Sequence, residues 1–330
     1  MDKYIKKFID EKDRKILTEL DKDARQPDSE IAKKAGLSKQ VVNFRIKKLV
    51  ERGIVPIFYT IINTGKLGLN SYYIFLQLQK INKTQEKELL KKLNDLDYVG
   101  WLASGVGRWD VVLLIYADSI STFDRLFNNV LDLCGEHLHE HNFATLIRSE
   151  HISYKFLAET RYLESVKQTE KSEIVMLGEE DKKILEAISQ NSRMPLTEIS
   201  EKTKIPLHVV NYHIKSMIKD KVIEGFKPKI DVSKIDYQWN LLLIQFQRTT
   251  EERKKEFIDF CRNHKKIYYI TNTIGIYNLL LDIYVKNTKE FRDVLLELKD
   301  KFSDVIKLYE SIVIFDEYKI NYFPKGLLKK

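Results

Sequence analysis

Cysteine, proline and glycine are scarce in this chain, with 2, 6 and 12 copies among 330 residues. Cys134 and Cys261 supply no framework of disulfides, which excludes a small stapled secreted fold and fits a reducing compartment. So little proline and glycine excludes collagen-like and linker-like classes. The longest apolar runs, such as Val111 to Ala117, have the length of a strand rather than of a membrane span. The start MDKYIKKFIDEKD has none of the apolar core of a signal peptide, so a cytoplasmic protein without membrane contact is expected. A phosphate-binding glycine loop, zinc-finger spacing and a Ser or Cys nucleophile beside an evident base are also missing. No cofactor or metal is therefore expected.

What is present is 43% apolar and 32% charged residues, the profile of folded material with room for several domains. The net charge of +8 divides evenly, with 27 basic against 23 acidic residues in positions 1–168 and 29 against 25 in the remainder. It is concentrated locally. Ile31 to Thr60 holds seven basic residues and one acidic, and Ile199 to Pro228 holds six and three. These windows belong to one unit written twice at a constant offset of 168 residues: Asp13, Ile16 and Leu17 match Asp181, Ile184 and Leu185, while Arg25, Pro27 and Glu30 match Arg193, Pro195 and Glu198. The register persists to Gly107 against Gly275 and Phe123 against Phe291. A gapless repeat of domain size points to duplication and fusion, not to a solenoid.

Within each copy the period changes once. Ile16, Leu17, Leu20, Ile31, Ala32, Val42, Ile46 and Leu49 recur at helical spacing, interrupted at Pro27 and at Gly36 to Ser38, which predicts three short helices with Ser38 as a cap for the third. Beyond Val55 the alternation becomes period two, and strand, helix, strand, strand, helix, strand are expected at Ser71–Gln79, Thr84–Leu96, Val99–Ser104, Asp110–Tyr116, Ile120–Leu133 and Asn142–Ile152. The second copy places them at Trp239–Gln247, Glu251–Asn263, Ile267–Thr273, Tyr277–Tyr284, Thr288–Phe302 and Ile306–Tyr318. The fold class is thus α+β: two copies of a helix-turn-helix, winged-helix-like domain followed by a ferredoxin-like βαββαβ domain. The expected divisions are 1–60, 61–157, a linker at 158–176 open to a helix, 177–228 and 229–330.

Three helices with a tight glycine-containing turn before the third form a helix-turn-helix, which lays its third helix in the major groove. Burying Val42, Ile46 and Leu49 leaves Lys39, Gln40, Asn43, Phe44, Lys47 and Lys48 outward after the Ser38 cap. Lys47 and Lys48 suit phosphates, Gln40 or Asn43 an adenine edge, and Phe44 a thymine methyl. The second copy offers His208, Asn211, Tyr212 and Lys215. The plain alternative is a solvated basic face of a helical bundle.

The run DEKDRKIL…ARQPDSEIAKKAGLSKQVVNFRIKKLVERGIV, followed by SGVGRWDVVLLIYADSISTFDRLF, resembles the Lrp/AsnC (leucine-responsive) family of transcription regulators, and the resemblance spans Asp10 to Ile152 and again Leu177 to Tyr318. It implies a reader of double-stranded DNA joined to a sensing and assembly domain, dimers formed through the sheets, and a small effector, usually an amino acid, near a Gly-x-Tyr-Asp turn. Gly107, Arg108, Trp109 and Asp110 occupy that turn here. The same residues also suit a simple tight connection with Trp109 packed inside. This chain departs from the pattern in fusing two copies, in carrying Tyr277 and Asn278 at the second turn, and in a less basic second reader. An intramolecular pseudo-dimer, further homo-oligomers and an imperfect palindrome with one half-site read more tightly are the expectations.

Three other readings compete with this one. Cys134, His137, His139 and His141 have spacing suggestive of a metal cluster, but the second copy has no equivalent. Siroheme decarboxylases resemble the same two-module layout, though the turns here offer little beyond Arg108 for a tetrapyrrole carboxylate. An assembly factor with a degenerate helix-turn-helix completes the set.

Overall fold

The computed structural model describes residues 8–157, 165–168 and 173–327. The first copy opens with α1 (Glu11–Lys22), α2 (Asp28–Ala35) and α3 (Lys39–Glu51), whose apolar positions at helical spacing are all buried. The ends follow local chemistry. Asp10 and Asp13 cap α1 reciprocally, Pro27 precedes α2, Gly36 ends it with a left-handed φ of 67°, and the Ser38 hydroxyl accepts from Val41 N at 3.3 Å.

Strand β1 (Phe58–Ile62) follows, then β2 (Asn70–Leu78), α4 (Lys83–Asn94), β3 (Val99–Gly107), β4 (Val111–Ala117), α5 (Ile120–Cys134) and β5 (Leu138–Ile152). A short β6 (Ser165–Gln168) leads to the second copy: α6 (Glu179–Ile188), α7 (Leu196–Thr203), α8 (Leu207–Lys219), β7 (Ile223–Pro228), β8 (Gln238–Phe246), α9 (Glu251–Asn263), β9 (Ile267–Gly275), β10 (Leu279–Val285), α10 (Thr288–Phe302) and β11 (Ile306–Ile320). The segment expected to be open to a helix contains instead β6, paired antiparallel with Ser149 to Ile152. Its polar composition, Ser-Val-Lys-Gln, gives no strand pattern in the sequence. Residues 158–164 and 169–172 of that segment lie outside the described residues.

Each copy makes a four-stranded antiparallel sheet in the order β5-β2-β4-β3 or β11-β8-β10-β9, and the two sheets join at both edges through β3–β11 and β9–β5. Of the joining strands, β5 and β11 are fifteen residues long. One half of β5 pairs with β2 of its own copy and the other half with β9. The result is a closed ring of eight strands without an exposed edge at either junction. Its interior holds Tyr73, Phe75, Val112 and Leu114 from one copy against Leu241, Leu243, Tyr277 and Leu280 from the other. Helices α4 and α5 cover one sheet, and α9 and α10 the second.

The helical domains are also exchanged across the pseudo-dyad. β1 and β7 pair antiparallel, with Thr60 opposite Phe226. Ala24 N donates to Phe226 O and, 168 positions on, Ser192 N donates to Phe58 O. Arg25 donates to the carbonyls of Ser192 and Met194, and Arg193 reciprocates toward Ala24 and Gln26. Apolar residues of the first reader, Ile9, Leu17, Leu49 and Ile54, pack with Ile230, Val232, Tyr268 and Tyr284 of the second copy. Strand β1 runs across the boundary expected at residue 60, since its partner comes from the other copy.

One asymmetric contact locks this junction. Lys227, 2% exposed, meets Asp21 at 3.1 Å, and Asp21 also accepts from Tyr154 N at 2.9 Å. Its counterpart in the first copy is Tyr59, which lies opposite Lys227 in the strand register. Removing one member of a buried pair leaves an uncompensated charge, so Lys227→Met should lower unfolding stability by about 3–5 kcal/mol. Chemical denaturation measures this, and a loss under about 1 kcal/mol would show that the pair does not join the readers.

Candidate nucleic-acid interface and sensor turn

Helix α3 presents the outward set expected from its sequence. Lys39, Gln40, Asn43, Phe44, Lys47 and Lys48 are all exposed beside buried Val42, Ile46 and Leu49. Phe44 is 60% exposed, an unusual place for a large ring unless something else covers it. Lys48 reaches Glu51 at 2.7 Å and lies 5.8 Å from the centre of the Phe44 ring. Lys39 and Lys47 form no ion pair among the described residues. The Asn43 amide donates to Asp28 at 2.9 Å, and Asp28 in turn holds Arg193 at 2.5 Å. The base-reading candidate is therefore oriented by a contact that reaches the second reader.

Helix α8 keeps the same face with different chemistry. His208, Tyr212 and Lys215 are exposed, Tyr212 at 68%, while Asn211 is half-buried. Both helices are strapped to the first helix of their domain from one equivalent position. Arg45 binds the carboxylates of Asp10 and Asp13 at 2.8 Å, whereas His213 binds Asp181 at 2.7 Å and Glu180 at 2.9 Å. The cap differs too. Ser38 caps α3, but Pro206 precedes α8 without a side-chain capping bond.

The four residues of the β3–β4 turn, Gly107 to Asp110, have separate fates. Trp109 is fully buried, and its Nε1 donates to the hydroxyl of Tyr277 at 2.7 Å. These two are the same position in the two copies, so the turns meet tip to tip inside the ring. Tyr277 also donates to Glu310. Arg108 pairs with Glu140 at 2.6 Å and lies 5.1 Å from the centre of the Trp109 ring. Asp110 accepts from Leu78 N at 2.7 Å, and Asn278 accepts from Phe246 N at 2.8 Å, so the exchange of Asp for Asn preserves the bond. Gly107 is demanded by close approach: a Cβ there would stand 2.2 Å from Ser311 O on the crossing strand. Gly275 combines a φ of +141° with a Cβ position 2.7 Å from Phe143 O.

Cys134 faces the core under α5, where burial pushes its thiol up to about 11, while His139 and His141 are exposed. No group of three metal-ligating side chains comes together among the described residues. No described helix is long and apolar enough to cross a membrane.

A family model described as winged helix-turn-helix DNA-binding matches residues 9–55 and 180–224. The HTH-type transcriptional regulator LrpA of Pyrococcus horikoshii is 38% identical over 131 residues, which is 39% of this chain and 90% of that regulator. The chain belongs to the Lrp/AsnC family. The regulatory protein AsnC of Haemophilus influenzae is 31% identical over 128 residues, covering 39% of this chain and 85% of its own. Each of these relatives matches about one copy, so this Lrp/AsnC chain carries the family unit twice. A solved structure of the siroheme decarboxylase NirDL aligns over 96% of both chains with a TM-score of 0.63 at 16% identity, which shows a shared two-copy fold.

A cavity that no motif announces lies where the readers meet the ring, lined by residues of both copies. A signal for it was present. Strand β10 reads LLLDIYV where β4 reads VVLLIYA, an acid inserted in an otherwise apolar run. The Trp109 geometry generates a test at the turn. Trp109→Ala should cost about 3–5 kcal/mol, as for other buried aromatics, and Tyr277→Phe about 1–3 kcal/mol, because it removes the bonds to both Trp109 and Glu310 and leaves the buried Trp109 N–H unpaired. Thermal denaturation of the variants measures both, and a neutral Trp109→Ala would remove the turn from the interface between the copies.

Proposed function

We propose that this Lrp/AsnC-family chain is a cytoplasmic, sequence-specific regulator of transcription that binds double-stranded DNA through α3 and α8, responds to a small effector, and assembles into homo-oligomers of an intramolecular pseudo-dimer. The observation that carries this reading is the outward face of α3. Six polar or aromatic residues stand exposed there on a helix whose other side is buried, with cations suited to phosphate and amides suited to base edges. Two such helices related by a pseudo-dyad suit successive major-groove faces about one helical turn apart, or a multiple of it. Their differing chemistry favours an imperfect palindrome.

The enzyme reading has less support. The relatives that match at 38% and 31% identity are transcription regulators, whereas the decarboxylase structure shares the fold at 16% identity. An assembly factor with a degenerate helix-turn-helix would have no use for exposed, unpaired Lys39 and Lys47.

Electrophoretic mobility and footprinting assays decide the matter. Lys47→Ala should weaken binding to every sequence and reduce the slope of log affinity against log salt by about one. Asn43→Ala should cost about 1–3 kcal/mol on the preferred site alone. Equal losses on random DNA would remove Asn43 from base reading. Lys39→Ala and His208→Ala should each erase protection over a different half-site, whereas uniform loss over both would contradict asymmetric reading.

A further inference from the structure

The cavity lies between the inner faces of the two sheets and the segments that carry the readers. Eight tyrosines and two tryptophans line it. Tyr59 and Thr64 border it from the first copy's connection, and Lys229 and Ile230 from the second's. At about 90 Å³ it has room for roughly six to nine waters, or a ligand of a similar number of non-hydrogen atoms.

Duplication supplies an internal comparison for its wall. Asp282, 6% exposed, stands where the first copy has Leu114, and both line the cavity. Thr271 replaces Ala103, Tyr268 replaces Gly100 and Trp239 replaces Ser71. The second copy has thus placed polar groups where the first remains apolar or small. Trp239 Nε1 donates to Asp282 Oδ1 at 2.6 Å, yet no cation pairs with Asp282 among the described residues. Lys229, the lysine in the lining, is held by Glu317 at 2.9 Å. Tyr268 Oη lies near the hydroxyls of Tyr59 and Tyr154, and Thr271 Oγ1 near that of Tyr73, but neither closes to a hydrogen bond and both are buried. The same is true of His151 Nδ1, whose ring partner Nε2 bonds the Tyr322 hydroxyl at 2.8 Å. A buried carboxylate without a cation and buried hydroxyls without partners are both costly unless something completes them.

We infer that this cavity binds a small organic primary ammonium ion, with Asp282 as counter-ion, Tyr268 and Thr271 as further acceptors, and the aromatic rings as walls. The three N–H donors of an ammonium match three acceptors, and aromatic faces attract a desolvated cation. A metal ion would need more oxygen ligands than one free carboxylate provides. An amino acid is disfavoured, because its own carboxylate would meet Asp282 and Glu317 with Lys229 already engaged. The site is therefore distinct from an amino-acid site at the Gly107 turn, and the inference does not depend on DNA binding.

Protonation gives it a signature. Burial pushes Asp282 up to about 7, against the hydrogen bond from Trp239, and Glu317 adds to the rise. The other groups facing it are Tyr73, Tyr269 and Tyr284, all raised by burial and neutral at physiological pH, His151, lowered to about 3 by burial and by Lys227, and the Glu317–Lys229 pair. Glu224, near Tyr269, is also pushed up to about 7 by burial, and Asp282→Asn separates its titration from that of Asp282. An ammonium ion needs the ionised carboxylate, so affinity should be present above pH 7 and lost as pH falls. The gain from pH 5.5 to 8 should be roughly thirty-fold for a single carboxyl of that pKa.

Calorimetric titration of the intact chain with 3-methylbutylamine, leucine as the matched amino acid, tests the inference without DNA. The amine should bind at pH 8, at least ten times more tightly than leucine, and weaken at pH 5.5. Asp282→Asn should abolish binding with the melting temperature retained, and Asp282→Leu, which restores the first copy's residue, should abolish binding while raising the melting temperature. Absence of amine binding at millimolar concentration, equal binding of leucine, or undiminished binding by a folded Asp282→Asn would each overturn it. Those outcomes leave the DNA-binding reading untouched, because footprints are measured separately.

Discussion

The pairing of sheet edges between the two copies is the constraint on which the other features depend. A ferredoxin-like sheet of four strands ends in two edges whose backbone N–H and C=O groups need partners. Here β5 and β11 are long enough to serve their own sheet with one half and the other copy's sheet with the second half. Closure of the ring brings Trp109 onto Tyr277, excludes a Cβ at Gly107 and Gly275, and sets the two helical domains beside each other so that β1 and β7 can pair. Fusion in one chain makes that association intramolecular, and its strength no longer depends on protein concentration.

Fusion also removes a symmetry requirement. In a dimer of identical chains every residue near the dyad faces its own copy, so an acid there meets an acid and one of the two must stay protonated. Here Asp282 faces the copy that has Leu114, and Lys227 faces Tyr59 across the paired strands. Arg45 and His213 hold equivalent helices with different charges. Each of these differences sits where a single-copy protein would be forced to repeat it.

Much of this architecture was legible in the sequence, because it rests on periodicity and on the duplication. Helices α9 and α10 have the limits expected from their apolar spacing, and the outward face of α3 follows from burying Val42, Ile46 and Leu49. What escaped involves partners remote in sequence. The extension of β5 back to Leu138 passes through exposed His139 and His141 and shows no apolar alternation. The exchange of β1 and β7 cannot be inferred from either strand alone. At the Gly107 turn, the backbone capping by Asp110 and Asn278 and the burial of Trp109 against Tyr277 are contacts that no local pattern shows. The cavity arises from side chains that each look like ordinary strand residues until the two copies are superposed.

The exchange of helical domains has a mechanical consequence. Arg25 and Arg193 each bind carbonyls of the opposite domain, and β1, β7 and the Lys227–Asp21 pair tie the same junction. Reorienting one helical domain alone would break these polar contacts with the other, and each buried group left unsatisfied costs about 1–3 kcal/mol. The readers therefore behave as one body, and their spacing is set once for both. The ring meets them through the connections at residues 57–64 and 225–232, from which Tyr59, Thr64, Lys229 and Ile230 border the cavity, through Tyr154 on Asp21, and through Tyr268 and Tyr284 packed on Leu17 and Leu49. A ligand can shift the readers only if it binds one arrangement of those connections better than another, and the cavity is lined by residues of both connections at the same time.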